Sequence, residues 1–260
     1  MHEPKKWRPG PLRDPKERNP QIATVLIAVV ALVAVACSSP NAEHPASKEA
    51  SSPAAETNVL SPTNQRLEPG TYVLDLTPIT GDDRFPNVSL TVPEGWENRS
   101  GWGVRFAPET ERWMGITFWD VGEVYAHPCR WLGKKRLQPG PTAADLAEVL
   151  ATRPLRNATA PIDIEVDGYS GKELVWSVPD NIDFATCDAD AEGPFFESWT
   201  AAEGSLNTDR YQQGPGQVDR LWILDVDGQR LVVDAMYMPG ATAKDQAMLR
   251  QVMESLRFES

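Results

Sequence analysis

The sequence predicts an α+β fold for residues 68–260, an antiparallel β-sheet of five or more strands packed by two main helices. Three observations carry that expectation. Val218–Val226 and Gln229–Tyr237 are long apolar-rich segments joined by Asp227-Gly228, the dipeptide that favours the type I′ turn matching the twist of paired strands. Two helical segments, one hundred residues apart, open with the same Pro-Gly-x-Thr-x-x-Asp device. Elsewhere in this span short runs alternate apolar with polar residues or concentrate aromatic and β-branched ones, as strands do.

The chain opens with a basic stretch holding Lys5, Lys6, Arg8, Arg13, Lys16 and Arg18, then the uncharged apolar run Ile22 to Ala36, then Cys37-Ser38-Ser39. A basic flank, a short apolar core and a small-residue exit make the layout of a secretory signal. Ala34-Val35-Ala36-Cys37 resembles the lipobox of bacterial lipoproteins, which implies lipidation of Cys37, although Ala34 stands where that pattern prefers a larger aliphatic residue. The alternative is an uncleaved transmembrane helix. The apolar run spans roughly 23 Å as a helix against a ~30 Å hydrocarbon core, and adding Cys37 to Ser39 brings it to about 27 Å. Both readings make residues 1–37 a membrane anchor. Both place the rest of the chain on the extracytoplasmic face of the plasma membrane.

Residues 38–67 hold six Ser, five Ala and four Pro with few large apolar residues, a composition expected to form a disordered tether. In the folded span, Val88, Leu90 and Val92 alternate ahead of a Pro93-Glu94-Gly95 turn. Residues 102–106 and 113–121 read as further strands. Ile162, Ile164 and Val166 alternate before Asp167-Gly168, and 172–178 resumes as the partner strand. The helices are expected near 142–152 and 242–255, each with Thr at the N-cap and Asp three residues on, a variant of the capping box. Two independent uses of good capping chemistry explain the echo as well as an ancient duplication does.

Only three cysteines occur: Cys37, Cys129 and Cys187. With Cys37 lipidated, the other two are an even pair in a compartment where disulfides persist, so a Cys129–Cys187 bridge is expected. Two separate buried thiols are the alternative. Residues 68–260 carry 17 Lys and Arg against 31 Asp and Glu, a net of −14. A surface so acidic repels phosphate backbones, which argues against nucleic acid as a partner.

The sequence assigns no cofactor, no metal ligands and no catalytic residue. His127 is the domain's single histidine, too little for a zinc site or a serine triad. Asp188-Ala189-Asp190-Ala191-Glu192-Gly193 begins like an EF-hand loop, but Trp199 stands where the bidentate Glu belongs. Gly168-Tyr169-Ser170-Gly171 lacks the second spacer of a nucleophile elbow. Most of the eight tryptophans of this span are expected in the core.

The Val92-Pro93-Glu94-Gly95-Trp96 opening resembles that of small secreted actinobacterial domains. Tyr211 to Val233 is similar to a segment recurring in actinobacterial membrane-anchored proteins. The closing helix, with Leu249, Val252, Ser255, Leu256, Arg257 and Phe258, resembles the end of PsbP-like α+β domains. The chain is thereby similar to membrane-anchored extracytoplasmic lipoproteins of actinobacteria with a PsbP-like domain. That resemblance implies a central antiparallel sheet covered by helices and an accessory role, and it carries over no site residue. The expected function is a non-catalytic binding or accessory module that docks a protein or envelope component at the membrane surface. The alternative is a hydrolase using two carboxylates on an envelope glycan.

Overall fold

The structure, a computed structural model, describes residues 58–109, 111–205, 207 and 209–259. The apolar run, Cys37 and residues 38–57 lie outside the described residues. The centre of the fold is a nine-stranded antiparallel sheet. Its strand order is Asn157–Ala158, Tyr169–Ser177, Val218–Val226, Gln229–Tyr237, Met114–Trp119, Gly103–Phe106, Trp96–Asn98 and Gln65–Arg66, with Ile162–Val166 also paired to Tyr169–Ser177. Both Asp-Gly dipeptides make the expected tight turns. Asp167 and Gly168 have φ of 50° and 88°, and Asp227 and Gly228 have φ of 48° and 80°.

Side-chain alternation sends odd and even residues of each strand to opposite faces, and each face has its own cover. On one face, Met114, Ile116, Phe118, Leu224, Leu231 and Val233 pack against the helix Ala243–Glu254 and a four-stranded sheet that includes Gly70–Leu74 and Val88–Val92. On the other, Trp119, Leu174, Trp176, Leu221, Ile223 and Val232 meet the helix Ala143–Ala151 and a second four-stranded sheet that includes Val121–Tyr125 and Phe196–Ala201. The fold is therefore largely antiparallel sheet with few helices, and richer in strands than the sequence pattern indicates.

One boundary is corrected. The folded unit takes in residues 58–67, which the composition of 38–67 assigns to the tether. Leu60 and Leu67 are buried, their backbone N–H groups donate to Val73 O and Trp96 O at 2.8 Å, and Asn98 Nδ2 donates to Ser61 O at 2.6 Å and Thr63 O at 2.9 Å. Two well-placed leucines anchor this stretch, which an average over thirty polar residues conceals.

Both helices begin with complete capping boxes, Thr142 with Asp145 and Thr242 with Asp245. In the second, Asp245 is buried. It accepts from Thr242 N at 2.8 Å, Thr242 Oγ1 at 2.8 Å and Arg112 Nη2 at 3.0 Å, so the box also fastens the helix to the loop before Met114–Trp119. The Arg112 guanidinium and the cap donors hold the Asp245 carboxyl down to about 2, below its ordinary 3.8. A depressed carboxyl adds stability above its unfolded value, and that stability fades as pH falls through the folded value. Asp245→Asn is therefore expected to lose about 1–2 kcal/mol at neutral pH. In urea titrations its deficit should shrink below pH 4 and vanish only below about pH 2. A deficit that stays constant over that range would disprove the assignment.

Candidate functional site

Cys129 and Cys187 are joined, with Cα atoms 4.4 Å apart. Around the bridge, Phe184 stacks on Phe196 at 5.0 Å between ring centres, and Val178 closes a small satellite core. Asp188 N donates to Cys129 O at 3.1 Å, so the bridge pins the loop of residues 179–194 to the sheet margin as expected. The acidic run beginning at Asp188 serves that loop. Asp188 Oδ2 accepts from Leu132 N at 2.8 Å, and Asp190 Oδ1 accepts from Glu192 N at 2.8 Å. His127 Nδ1 accepts from Cys129 N at 3.2 Å. Among the described residues no three His, Cys, Asp or Glu side chains group so as to hold a metal ion.

The tryptophans divide in a way that bears on function. Trp96, Trp113, Trp119, Trp176 and Trp199 are buried, while Trp102, Trp131 and Trp222 are half-buried. Trp176 stacks on Trp199 at 5.8 Å, and Trp119 meets Trp199 edge-on at 5.9 Å.

Trp222 belongs to an open surface groove of about 290 Å³. Strand register explains its composition. Ile162 lies opposite Glu173, and Glu173 opposite Trp222, so these three side chains form a row on one face of the sheet. The next row runs Ile164, Gly171, Leu224. Gly171 has no side chain because its Cβ would lie 2.1 Å from Ile223 O. Ile164, Val166 and Trp222 provide the apolar lining, Glu173, Glu254 and Arg257 line it with charge, and Glu165, opposite Ser170, belongs to the other face of the strand. Trp222 Nε1 donates to Glu173 Oε2 at 2.9 Å, and Arg220 also donates to Glu173. Asp167, at the groove's end, accepts from Phe258 N at 2.7 Å. Glu165 and Glu254 are exposed and in no salt bridge among the described residues.

A second polar cluster lies wholly inside the protein, and sequence reasoning missed it. Arg210, on the strand Asp209–Gln212, donates through Nε to Asp234 Oδ2 at 2.7 Å and through Nη2 to Asp219 Oδ1 at 2.7 Å. Asp219 also accepts from Gln212 Nε2 and Gln217 Nε2, each at 2.9 Å. Arg210, Asp219, Asp234, Gln212 and Gln217 are all buried. Burial pushes the Asp234 carboxyl well above the ordinary range, with Arg210 opposing that shift and Asp219 adding to it. Beside the cluster, Arg156 Nη2 donates to Ser198 Oγ at 2.7 Å, and its guanidinium lies 4.3 Å from the Trp176 ring centre and 4.5 Å from that of Phe196. Burial lowers the Arg156 guanidinium to about 9. The hairpin register held the available signal: Asp219 and Asp234 lie on the face that carries Leu221, Ile223 and Val232, diagonal to one another.

No family model matches the chain, and no curated protein matches it. Solved structures similar at low identity include the following two. One is cyanobacterial PsbP (CyanoP) from Synechocystis sp. PCC 6803, at 11% identity and a TM-score of 0.34, covering 79% of this chain and 97% of that one. The other is a crystal structure from Bacteroides thetaiotaomicron VPI-5482, at 11% identity and a TM-score of 0.31, covering 75% of this chain. The chain spans half the length of that second structure. At these scores the likeness bears on neither function nor site.

Proposed function

We propose that this chain is a membrane-anchored extracytoplasmic binding module, without catalysis of its own, that presents its folded domain to a protein or envelope component. The observation that carries this reading is how the aromatic and acidic side chains are used. Five tryptophans are buried, and Trp222, in the groove, has its indole nitrogen tied to Glu173. Of the groove's carboxylates, Glu173 is held by Arg220 and Trp222, and Asp167 by backbone. Of the groove's described carboxylates this leaves Glu254 alone outside a salt bridge or cap, whereas a glycan hydrolase needs a carboxyl pair free to exchange protons across a sugar.

The anchor belongs to the same proposal. Lipid on Cys37, the lipobox resemblance to actinobacterial lipoproteins, and a polar tether over residues 38–57 would hold the domain off the membrane by a root-mean-square span of about 25 Å. Its net acidity disfavours close contact with anionic headgroups. Protease added to intact cells should remove the domain, and Cys37→Ala should abolish incorporation of labelled fatty acid. Full protease protection, where a known surface protein is digested, defeats the topology. Labelling that persists in the Ala variant defeats lipidation at Cys37. Crosslinking on cells tests the binding role, and turnover of a purified envelope glycan with no partner recovered overturns it.

A further inference from the structure

The binding reading leaves open what the groove recognises, and the geometry of the sheet margin narrows the choice. Ile162–Val166 is an edge strand. It pairs with Tyr169–Ser177 in unbroken register from Ile162 opposite Glu173 to Val166 opposite Tyr169, and among the described residues no strand pairs with its other side. An unpaired edge is a row of backbone donors and acceptors open to another extended chain. This edge has no bulge, its only proline is Pro161 just ahead of it, and Ile162 is 57% exposed. On one face of the edge Ile162, Ile164 and Val166 offer the side chains of an added strand an apolar row, which the groove continues inward to Trp222.

Charge decides what kind of chain fits. On the face away from the groove the strand presents Asp163 and Glu165, while Asp167, Glu173 and Glu254 line the groove with Arg257. A second copy of this chain pairing through the same edge would set Asp163 and Glu165 against their own counterparts, a destabilising cross-strand arrangement. A polypeptide that alternates basic and apolar residues meets both demands. Its apolar side chains continue the row of Ile162, Ile164 and Val166 beside the groove, while its cations meet Asp163 and Glu165 on the other face.

We propose that the Ile162–Val166 edge binds an extended basic segment of a partner protein, which joins the nine-stranded sheet as an additional strand. This deepens the binding-module reading and rests on it. Strand addition takes affinity from backbone hydrogen bonds and specificity from pockets for alternate side chains.

The test uses the full chain in non-ionic detergent with three synthetic peptides: a Lys-Val repeat, a Glu-Val repeat and a Lys-Pro repeat. The Lys-Val peptide should bind at least about tenfold more tightly than either of the others, and more weakly as salt is raised. It should also slow amide hydrogen exchange within residues 162–166. Glu165→Lys combined with Glu254→Lys alters two exposed side chains that the fold does not use, and it should reduce Lys-Val binding about tenfold or more. Equal binding of the Glu-Val peptide, binding unchanged in the double variant, protection confined to other strands, or no binding at all would each overturn the proposal. So would self-association of the chain that the double variant abolishes, which would assign the edge to a second copy. Crosslinking on cells separates this failure from failure of the broader reading. A double variant that still captures the native chain's partner removes the edge site and leaves the binding module standing.

Discussion

Replacing Arg210 with leucine is expected to destabilise the domain by about 3–5 kcal/mol, the range for removing one partner from a buried ionic network. Arg210 sits between Asp219 and Asp234, which are fully buried, and donates to both at 2.7 Å. Leucine supplies apolar volume but leaves two carboxylates facing each other without the cation that offsets their desolvation. Both would then favour their protonated forms in the folded state. A carboxyl whose folded value is raised contributes stability fully present below its unfolded value, and loses it as pH rises through the folded value. The deficit of Arg210→Leu should accordingly be smaller at pH 5 than at pH 8. Asp234→Asn should cost far less, about 1 kcal/mol, because burial already opposes that charge and the amide oxygen still accepts from Arg210. Urea unfolding followed by tryptophan fluorescence reads both, since the Trp176–Trp199 stack lies in the core beside the cluster. A leucine variant as stable as the native chain would show that the network contributes nothing net.

The second large effect is expected from the disulfide. Cys129 and Cys187 are 58 residues apart, and in the chain-entropy model closing such a loop restricts the unfolded ensemble by about 4 kcal/mol. The double variant Cys129→Ala with Cys187→Ala should lose most of that in urea or thermal unfolding. The reduced native chain should behave alike. Damage should begin locally, because the bridge holds the Phe184–Phe196 stack and the 179–194 loop, and Phe196 is also one of the two rings against Arg156. Hydrogen exchange should therefore rise first around residues 179–199 while the hairpin Val218–Val226 and Gln229–Tyr237 stays protected. Unchanged stability on reduction would contradict the assignment.

The two experiments probe features of opposite legibility. Three cysteines with one spoken for by the anchor pattern point to one pairing, and the structure contains it. Arg210 carried no such mark. Asp209-Arg210-Tyr211-Gln212 reads as a polar, solvated stretch, yet Arg210, Tyr211 and Gln212 are buried. Sequence periodicity ranks a charged residue as exposed because an isolated buried charge is prohibitively unfavourable, and it cannot see the compensating charges that other strands bring. The groove is similar. Ile162, Ile164 and Val166 were readable as a strand, but Trp222 lies about sixty residues away and joins them only because Tyr169–Ser177 pairs on both sides. The tether boundary also escaped, since Leu60 and Leu67 bond to Val73 and Trp96 and are buried in a core assembled from distant segments.

Short stretches of chain specify the local features: two Asp-Gly turns set by the backbone they favour, two helix starts set by Thr and Asp reciprocally satisfying free N–H groups, and strands set by alternation. Each of these arises within a few residues, where steric preference and local hydrogen bonding suffice. The order of the nine strands, the enclosure of Arg210 by Asp219 and Asp234, and the acidic groove along the open edge were decided by tertiary structure alone. They arise from pairings between segments far apart in the chain, whose free energy depends on the whole set of neighbours that burial assembles.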